Sequence, residues 1–197
     1  FEFREEYQKA INECIYYLSV SKDDETNALV SYQLGKIYLF LNDKENALKA
    51  FVEVLKYSPT FDTEFQSRIE HARLLKELNR VEESESELND IRYAGKFKNY
   101  VDQVMIELGQ IYYEKNETKL AINIFREVDS TFKMNPTSGI AQAKLGEIYK
   151  IKIRDYDSSY KYYNKVAISL APADMKTESI KHTRDLDKYF LNRKELT

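Results

Sequence analysis

Small residues recur in this chain at a fixed step. Gly35, Ala72, Gly109 and Gly146 stand 37 residues apart, and the same step links Tyr38, Leu75, Tyr112 and Tyr149. It also links Ala10, Ala47, Ser84, Ala121 and Ser158, and again Cys14, Phe51, Leu88, Phe125 and Tyr162. A period of this length marks an array of short units, each of which buries its apolar face only against its neighbours. A chain so written folds as a row of similar pieces.

Within each unit the apolar residues fall at helical spacing in two sets, for instance Leu34, Tyr38 and Leu41, then Ala47, Leu48, Phe51 and Leu55. Asn42, Asn79 and Asn116, again 37 apart, stand between the two sets. Asn is the non-glycine residue that best tolerates the left-handed conformation that ends a helix, so each unit reads as a helical hairpin. Only 3 prolines and 5 glycines in 197 residues favour helix throughout. A glycine inside a helix costs roughly 0.8–1 kcal/mol relative to Ala, so its recurrence needs a packing reason. The expectation is that Gly35 faces Ala47 and Gly109 faces Ala121, so that the two backbones approach closely. Tyr38 with Phe51 and Tyr112 with Phe125 would then fill the space beside the crossing.

The stretch "ALVSYQLGKIYLFLNDKENALKAFVEVLKYSP" resembles the tetratricopeptide repeat (TPR) family through Leu34, Gly35 and Tyr38 in its first helix, Ala47 and Phe51 in its second, and Pro59 at its close. The second unit departs from the pattern with Ala72, Leu75 and Ser84. The fourth has Ile153 where an Asn turn belongs, and one additional residue before Ser159. The step of 37 also exceeds the usual ~34. The resemblance implies an all-α, right-handed superhelix of roughly ten helices in a single solenoid domain. Its parts are a lone second helix and linker (1–27), a unit at 28–64, a divergent unit at 65–101, units at 102–138 and 139–173, and a capping helix at 174–197. The cap should turn Ile180, Thr183, Leu186 and Phe190 inward and Lys181, Arg184, Asp185 and Lys188 outward. At the other end Tyr7, Ile11, Cys14 and Ile15 should pack on the next hairpin, with Phe1 and Phe3 on an uncovered face. That face leads to an expectation of self-association through the N-terminal helix, or of more repeats upstream. The start at Phe1, without Met or a signal peptide, carries the same expectation of a longer chain.

Little in the sequence points to chemistry. The net charge is −3 with both signs interspersed, which gives no field to gather nucleic acid, and no apolar run reaches the length of a membrane span. One cysteine excludes a disulfide framework within the chain and fits cytoplasm and periplasm alike. His71 and His182 lie three periods apart, too far to share a metal, and share a column with core leucines, so partly buried packing is expected of both. Cys14 falls in the Phe51 column and reads as a buried, unreactive thiol. Asp23, Asp24 and Glu25, and Glu82, Glu83, Glu85 and Glu87, lack the glycine and terminal Glu of a calcium loop. Glu82 to Glu87 suit the first turns of a second helix, and Glu85 and Glu87 are expected on the solvated outer face. No phosphate loop, nucleophile elbow or Cys/His pair is present. Neither catalysis nor a cofactor or metal is expected.

Surface remains. In the family the first helices line a concave groove that takes peptides or partner helices. The positions that match it here are Tyr32 and Lys36, then Ile69 and Arg73. Next come Ile106, Gln110 and Tyr113, then Ala143, Glu147 and Lys150, with Arg184 on the cap. The implied activity is a noncatalytic protein–protein interaction scaffold binding a peptide or protein; the alternative is a regulatory or substrate-recruiting segment of a longer enzyme or sensor. The Lys/Asn set of chaperone-tail-binding TPR domains is lacking. The run "DYxxSxxYYxxV" from Asp155 to Val166, with the trailing cap, further resembles large envelope TPR lipoproteins of Bacteroidetes-type bacteria. That likeness implies a place in a cell-envelope assembly on the periplasmic side of the outer membrane, with cytoplasm as the alternative.

Overall fold

Asn42, Asn79 and Asn116 hold φ values of 58°, 60° and 60°, the left-handed conformation that stops a helix and turns the chain back. The computed structural model describes residues 2–195, with side chains described for residues 4–193. Among them are ten α-helices and no strand: α1 (Glu2–Val20), α2 (Asp24–Phe40), α3 (Lys44–Val54), α4 (Phe61–Glu77), α5 (Val81–Tyr93), α6 (Val101–Glu114), α7 (Thr118–Thr131), α8 (Pro136–Ile148), α9 (Tyr156–Ile168) and α10 (Ala173–Glu195). The hairpins are α2–α3, α4–α5, α6–α7 and α8–α9. The chain divides near residue 98 into two compact units, the first holding α1 to α5 and the second α6 to α10.

The fourth hairpin turns differently. Residues Tyr149–Ile153 form a π turn, and Arg154 takes the left-handed position with φ 61°. A π turn absorbs one residue without breaking the helix. The second helix is thereby delayed by one place, so Ser159 and Tyr163 occupy the columns expected for Ser158 and Tyr162. The Ser159 hydroxyl donates to the Gly146 carbonyl at 2.9 Å. Tyr162 is displaced onto Tyr149, with ring centroids 5.6 Å apart and planes 7° from parallel.

The glycines meet aromatic rings rather than the alanines expected opposite them. A Cβ at Gly35 would stand 2.6 Å from Phe51 Cε1, one at Gly109 would stand 2.6 Å from Phe125 Cε1, and one at Gly146 would stand 2.8 Å from Tyr163 Cε1. Ala47 and Ala121 are fully buried one turn earlier on the same helices. Their small size lets the second helix come close, and the ring one turn on then lands over the glycine. Burying a Phe is worth about 1.5–3 kcal/mol, which outweighs the helix-propensity loss of roughly 1 kcal/mol. In the second hairpin both partners change together: Ala72 replaces the glycine and Leu88 the ring, both buried. There the Ser84 hydroxyl donates to the Ala72 carbonyl at 2.6 Å.

In the first unit Ile11, Leu34 and Ala50 pack with Cys14, Leu18, Ile37, Tyr38 and Leu41. Ala47, Phe51 and Leu74 pack with Tyr32, Tyr38, Leu39 and Leu48. The Ser67 hydroxyl donates to the Phe51 carbonyl at 2.7 Å and ties α4 to α3. Phe97, in the 3-10 stretch Gly95–Tyr100, is fully buried with its ring 6.0 Å from that of Phe65. Ile15 is 50% exposed, against expectation, and Tyr16 and Val20 are exposed beside it. The inward stripe of α1 runs through Ile11, Cys14 and Leu18, and Ile15 sits one residue, about 100°, off Cys14. Phe1 and the side chain of Phe3 lie outside the described residues.

α10 behaves in the same way. Ser179, Thr183 and Leu186 are buried and Phe190 is half-buried, whereas Ile180, expected inside, is 39% exposed because Ser179 holds its place in the stripe. Lys181, Arg184, Asp185 and Lys188 are exposed as expected. The second unit also buries the Asp102 carboxylate and half-buries that of Asp129. Asp102 accepts from Thr137 Oγ1 at 2.7 Å and from Asn135 Nδ2 at 3.1 Å. Asp129 accepts from Gln142 Nε2 at 2.7 Å and from Ser138 Oγ at 3.2 Å. Such groups persist inside a protein only when bonded.

The paired change at Ala72 and Leu88 makes a prediction about Gly109. Gly109→Ala should destabilise by about 1–3 kcal/mol because the ring must move, and Gly109→Leu by more. Combining Gly109→Ala with Phe125→Leu should recover at least about 1 kcal/mol relative to the sum of the single changes. Urea unfolding of the four proteins measures this, and strict additivity would contradict the ring-on-glycine account.

Candidate partner-binding faces

In the first unit the expected groove residues lie on α2 and α4. Tyr32 is half-buried, its ring 5.8 Å from that of Phe51, and Lys36 Nζ lies 5.8 Å from the Tyr32 ring centroid. Arg73 is exposed and bonds Glu70 at 2.7 Å. Burial raises the Tyr32 phenol above its usual range, Glu70 adds to the rise and Arg73 opposes it, so these groups share one surface. Ile69 does not belong to it. At 2% exposure it is core, because it continues the inward stripe of Phe65 and Ala72. Glu70, one position on, is the residue that reaches the surface.

The second unit assembles a fuller constellation from α6, α8, the π turn, α9 and α10. The Tyr113 hydroxyl donates to Glu147 Oε1 at 3.3 Å, and Lys152 Nζ lies 5.3 Å from the Tyr113 ring centroid. Lys150 Nζ donates to His182 Nδ1 at 3.1 Å, while His182 Nε2 stands 3.6 Å from Glu178 Oε1. Tyr163 packs on the same imidazole, ring centroids 4.6 Å apart. A lysine on one ring nitrogen and a carboxylate near the other fit a neutral imidazole with its hydrogen on Nε2. Ile106 and Ala143 are half-buried beside this row. Gln110 donates to Glu114 Oε1 at 2.8 Å, and its own Oε1 is buried without a hydrogen bond. Arg184 is exposed on α10, and His182 of the same helix meets Lys150 of the π turn.

Electrostatics follow burial. The Tyr113 phenol is raised by burial and then by Glu147, and burial raises that of Tyr163 strongly. His182 is lowered by burial and then by Lys150, and His71, also half-buried, is lowered mainly by burial. Cys14 is half-buried and burial raises its thiol, which disfavours the thiolate that nucleophilic chemistry needs. On the side of the second helices, Glu87 is not simply solvated: it pairs with Arg68 at 2.6 Å, with side chains 19% and 18% exposed. Arg68 reaches it from α4, a direction helical spacing along α5 alone does not reveal. Among the described residues no three His, Cys, Asp or Glu side chains gather to hold a metal ion, and no helix is long and apolar enough to cross a membrane.

Residues 28–61 and 102–131 match the family model of the tetratricopeptide repeat. These two segments carry TPR repeats. The matched segments take in the hairpins α2–α3 and α6–α7, where glycine, aromatic ring and Asn turn are all present; the hairpins with Ala72 and with the π turn lie outside them. Among solved structures, MamA is similar with a TM-score of 0.64 at 16% identity, over 91% of this chain and 94% of that one. BtubC from P. vanneervenii gives 0.66 at 13% identity, over 93% and 81%. The Rap conjugation gene regulator of plasmid pLS20, in complex with a peptide, gives 0.60 at 16% identity, over 94% of this chain and 53% of that one. At such identities the likeness is one of fold. No curated protein matches the sequence.

The two histidines give this fold a pH dependence. Both bind a proton less readily when folded, so between their lowered values and the ordinary value near ~6.5 the unfolded chain holds more protons and stability rises with pH. The melting temperature should therefore fall from pH about 7.5 to about 5.5, above the range where carboxylates titrate. His182→Gln should flatten part of that fall. A melting temperature constant across this window would contradict the placement of both imidazoles.

Proposed function

We propose that the chain is a noncatalytic protein-interaction scaffold whose first-helix faces receive an extended peptide or a partner helix. The observation that carries this reading is the row on α6, α8, the π turn and α10, where Tyr113 pairs with Glu147 and Lys150 with His182, and all four remain reachable from solvent. Tyrosine supplies flat amphipathic area at low entropy cost, and lysine favours acidic side chains or backbone carbonyls. The peptide complex of the Rap regulator supports the same use of a similar fold.

The envelope setting has less behind it. Each fixed residue of the "DYxxSxxYYxxV" run is accounted for by packing or capping. Asp155 caps α9 through the Ser158 amide, Tyr156 lies 4.7 Å from the ring of Tyr189, and Val166 is fully buried. Ser159, Tyr162 and Tyr163 serve the contacts already described. Placement at the outer membrane thus rests on resemblance, and recovery of the native protein in the cytoplasmic fraction would remove it.

Selection from a displayed library of random peptides tests the scaffold reading. Enriched peptides should photo-crosslink to α6 and α8, and Tyr113→Ala with Lys150→Glu should weaken them at least about tenfold while helicity is kept. Lys119→Glu with Asn123→Asp on α7, exposed positions of a second helix, should leave them bound. Failure to enrich any peptide, or loss only in the α7 variant, would overturn the assignment.

A further inference from the structure

A second cluster lies between the second helices of the same unit. Arg126 of α7, Tyr149 of the π turn, and Ser158, Lys161, Tyr162 and Lys165 of α9 line a cavity of about 240 Å³. The parallel rings of Tyr149 and Tyr162 form one wall. The Arg126 guanidinium donates to the hydroxyls of both tyrosines and lies 5.9 Å from the Tyr149 ring centroid, which holds it in place with further N–H donors to spare. Lys165 Nζ stands 5.0 Å from the Tyr162 ring centroid. Asp129 pairs with Lys165 at 3.2 Å but is already bonded to Gln142 and Ser138. Asp155, which feels Lys161, is engaged in capping α9.

The fold by itself does not call for this composition. The equivalent place in the first hairpin is a cavity of about 200 Å³ lined in part by Tyr38, Asn46, Lys49, Ala50 and Glu53. Three steps of 37 carry Tyr38 to Tyr149. With the one-residue delay they carry Asn46 to Ser158, Lys49 to Lys161, Ala50 to Tyr162 and Glu53 to Lys165. At the same place in the repeat a carboxylate has become an ammonium and a methyl group a phenol. In a chain of net charge −3, three cations line this cavity, while Asp129 and Asp155 beside them are already engaged.

We propose that this cavity binds a phosphate monoester, with Arg126, Lys161 and Lys165 on the phosphate oxygens and the Tyr162 face beside the group that carries it. A phosphate monoester holds about −1.5 to −2 charges at neutral pH and offers three acceptor oxygens, which suits a guanidinium fork flanked by two ammonium groups better than a lone carboxylate does. The assignment goes beyond the first-helix reading and does not depend on it, since it uses the opposite helices.

Amide NMR titration of the whole chain tests it with inorganic phosphate, phenyl phosphate, sulfate and a phosphotyrosine peptide. Phenyl phosphate should bind several-fold more tightly than inorganic phosphate or sulfate, with shifts centred on residues 158–165 and Arg126. Arg126→Gln should weaken it about tenfold or more. Lys161→Gln with Lys165→Gln, both at exposed positions, should weaken it similarly without loss of fold. A peptide that binds more tightly than phenyl phosphate places the ester on a protein, and equal binding places it on a small molecule; both support the site. Shifts elsewhere, equal binding of sulfate and phenyl phosphate, no detectable binding, or variants that bind like the parent would overturn it.

Discussion

In three of the four hairpins an aromatic ring from the second helix rests on a glycine of the first, which is too small to push it away, and those hairpins depend on that contact. With Gly35 and Phe51, Gly109 and Phe125, and Gly146 and Tyr163, the ring fills the volume a Cβ would claim. This contact resolves the presence of a helix-weakening residue in the middle of three helices: the apolar burial gained is larger than the propensity lost. The hairpin with Ala72 and Leu88 obeys the same volume rule with both partners altered. What is kept from unit to unit is a combined size across the crossing, in the manner of any close-packed interior.

The surfaces follow from where those crossings put the remaining side chains. Because the inward stripe of each first helix is consumed by the crossing, the residues left facing outward on α6, α8 and α10 are polar and aromatic, and they bond to one another across neighbouring helices. On the second-helix side the one-residue delay introduced by the π turn frees Tyr162 from the glycine seat and sets it against Tyr149. One inserted residue thus accounts for two departures from a strict repeat: the shift to Ser159 and Tyr163, and the stacked tyrosine pair.

Much of the fold was legible because it is encoded locally. The step of 37 and the Asn residues between helices speak through short-range conformational preference, and the left-handed φ values follow directly. Contacts between helices were less legible. Ala47 and Phe51 lie one turn apart on the same buried stripe, and only the crossing geometry decides which of them meets Gly35. Ile15 and Ile180 each sit at the edge of a stripe, where a one-residue error moves a side chain between core and surface, whereas Ile69 lies within its stripe and only the family column pointed it outward. Phe97 was missed because its irregular surroundings carry no period. The pairing of Arg68 with Glu87 bridges two helices and leaves no mark in either one alone.

The contact between ring and glycine can be observed without altering the protein. In solution NMR the α-protons of Gly109 should show strong cross-relaxation to the ring protons of Phe125 and resonate away from ordinary helical glycine positions because of the adjacent ring current. Gly35 with Phe51 and Gly146 with Tyr163 should behave alike. Cross-relaxation from these glycine protons to the methyl groups of Ala47 and Ala121, with none to the rings, would contradict it.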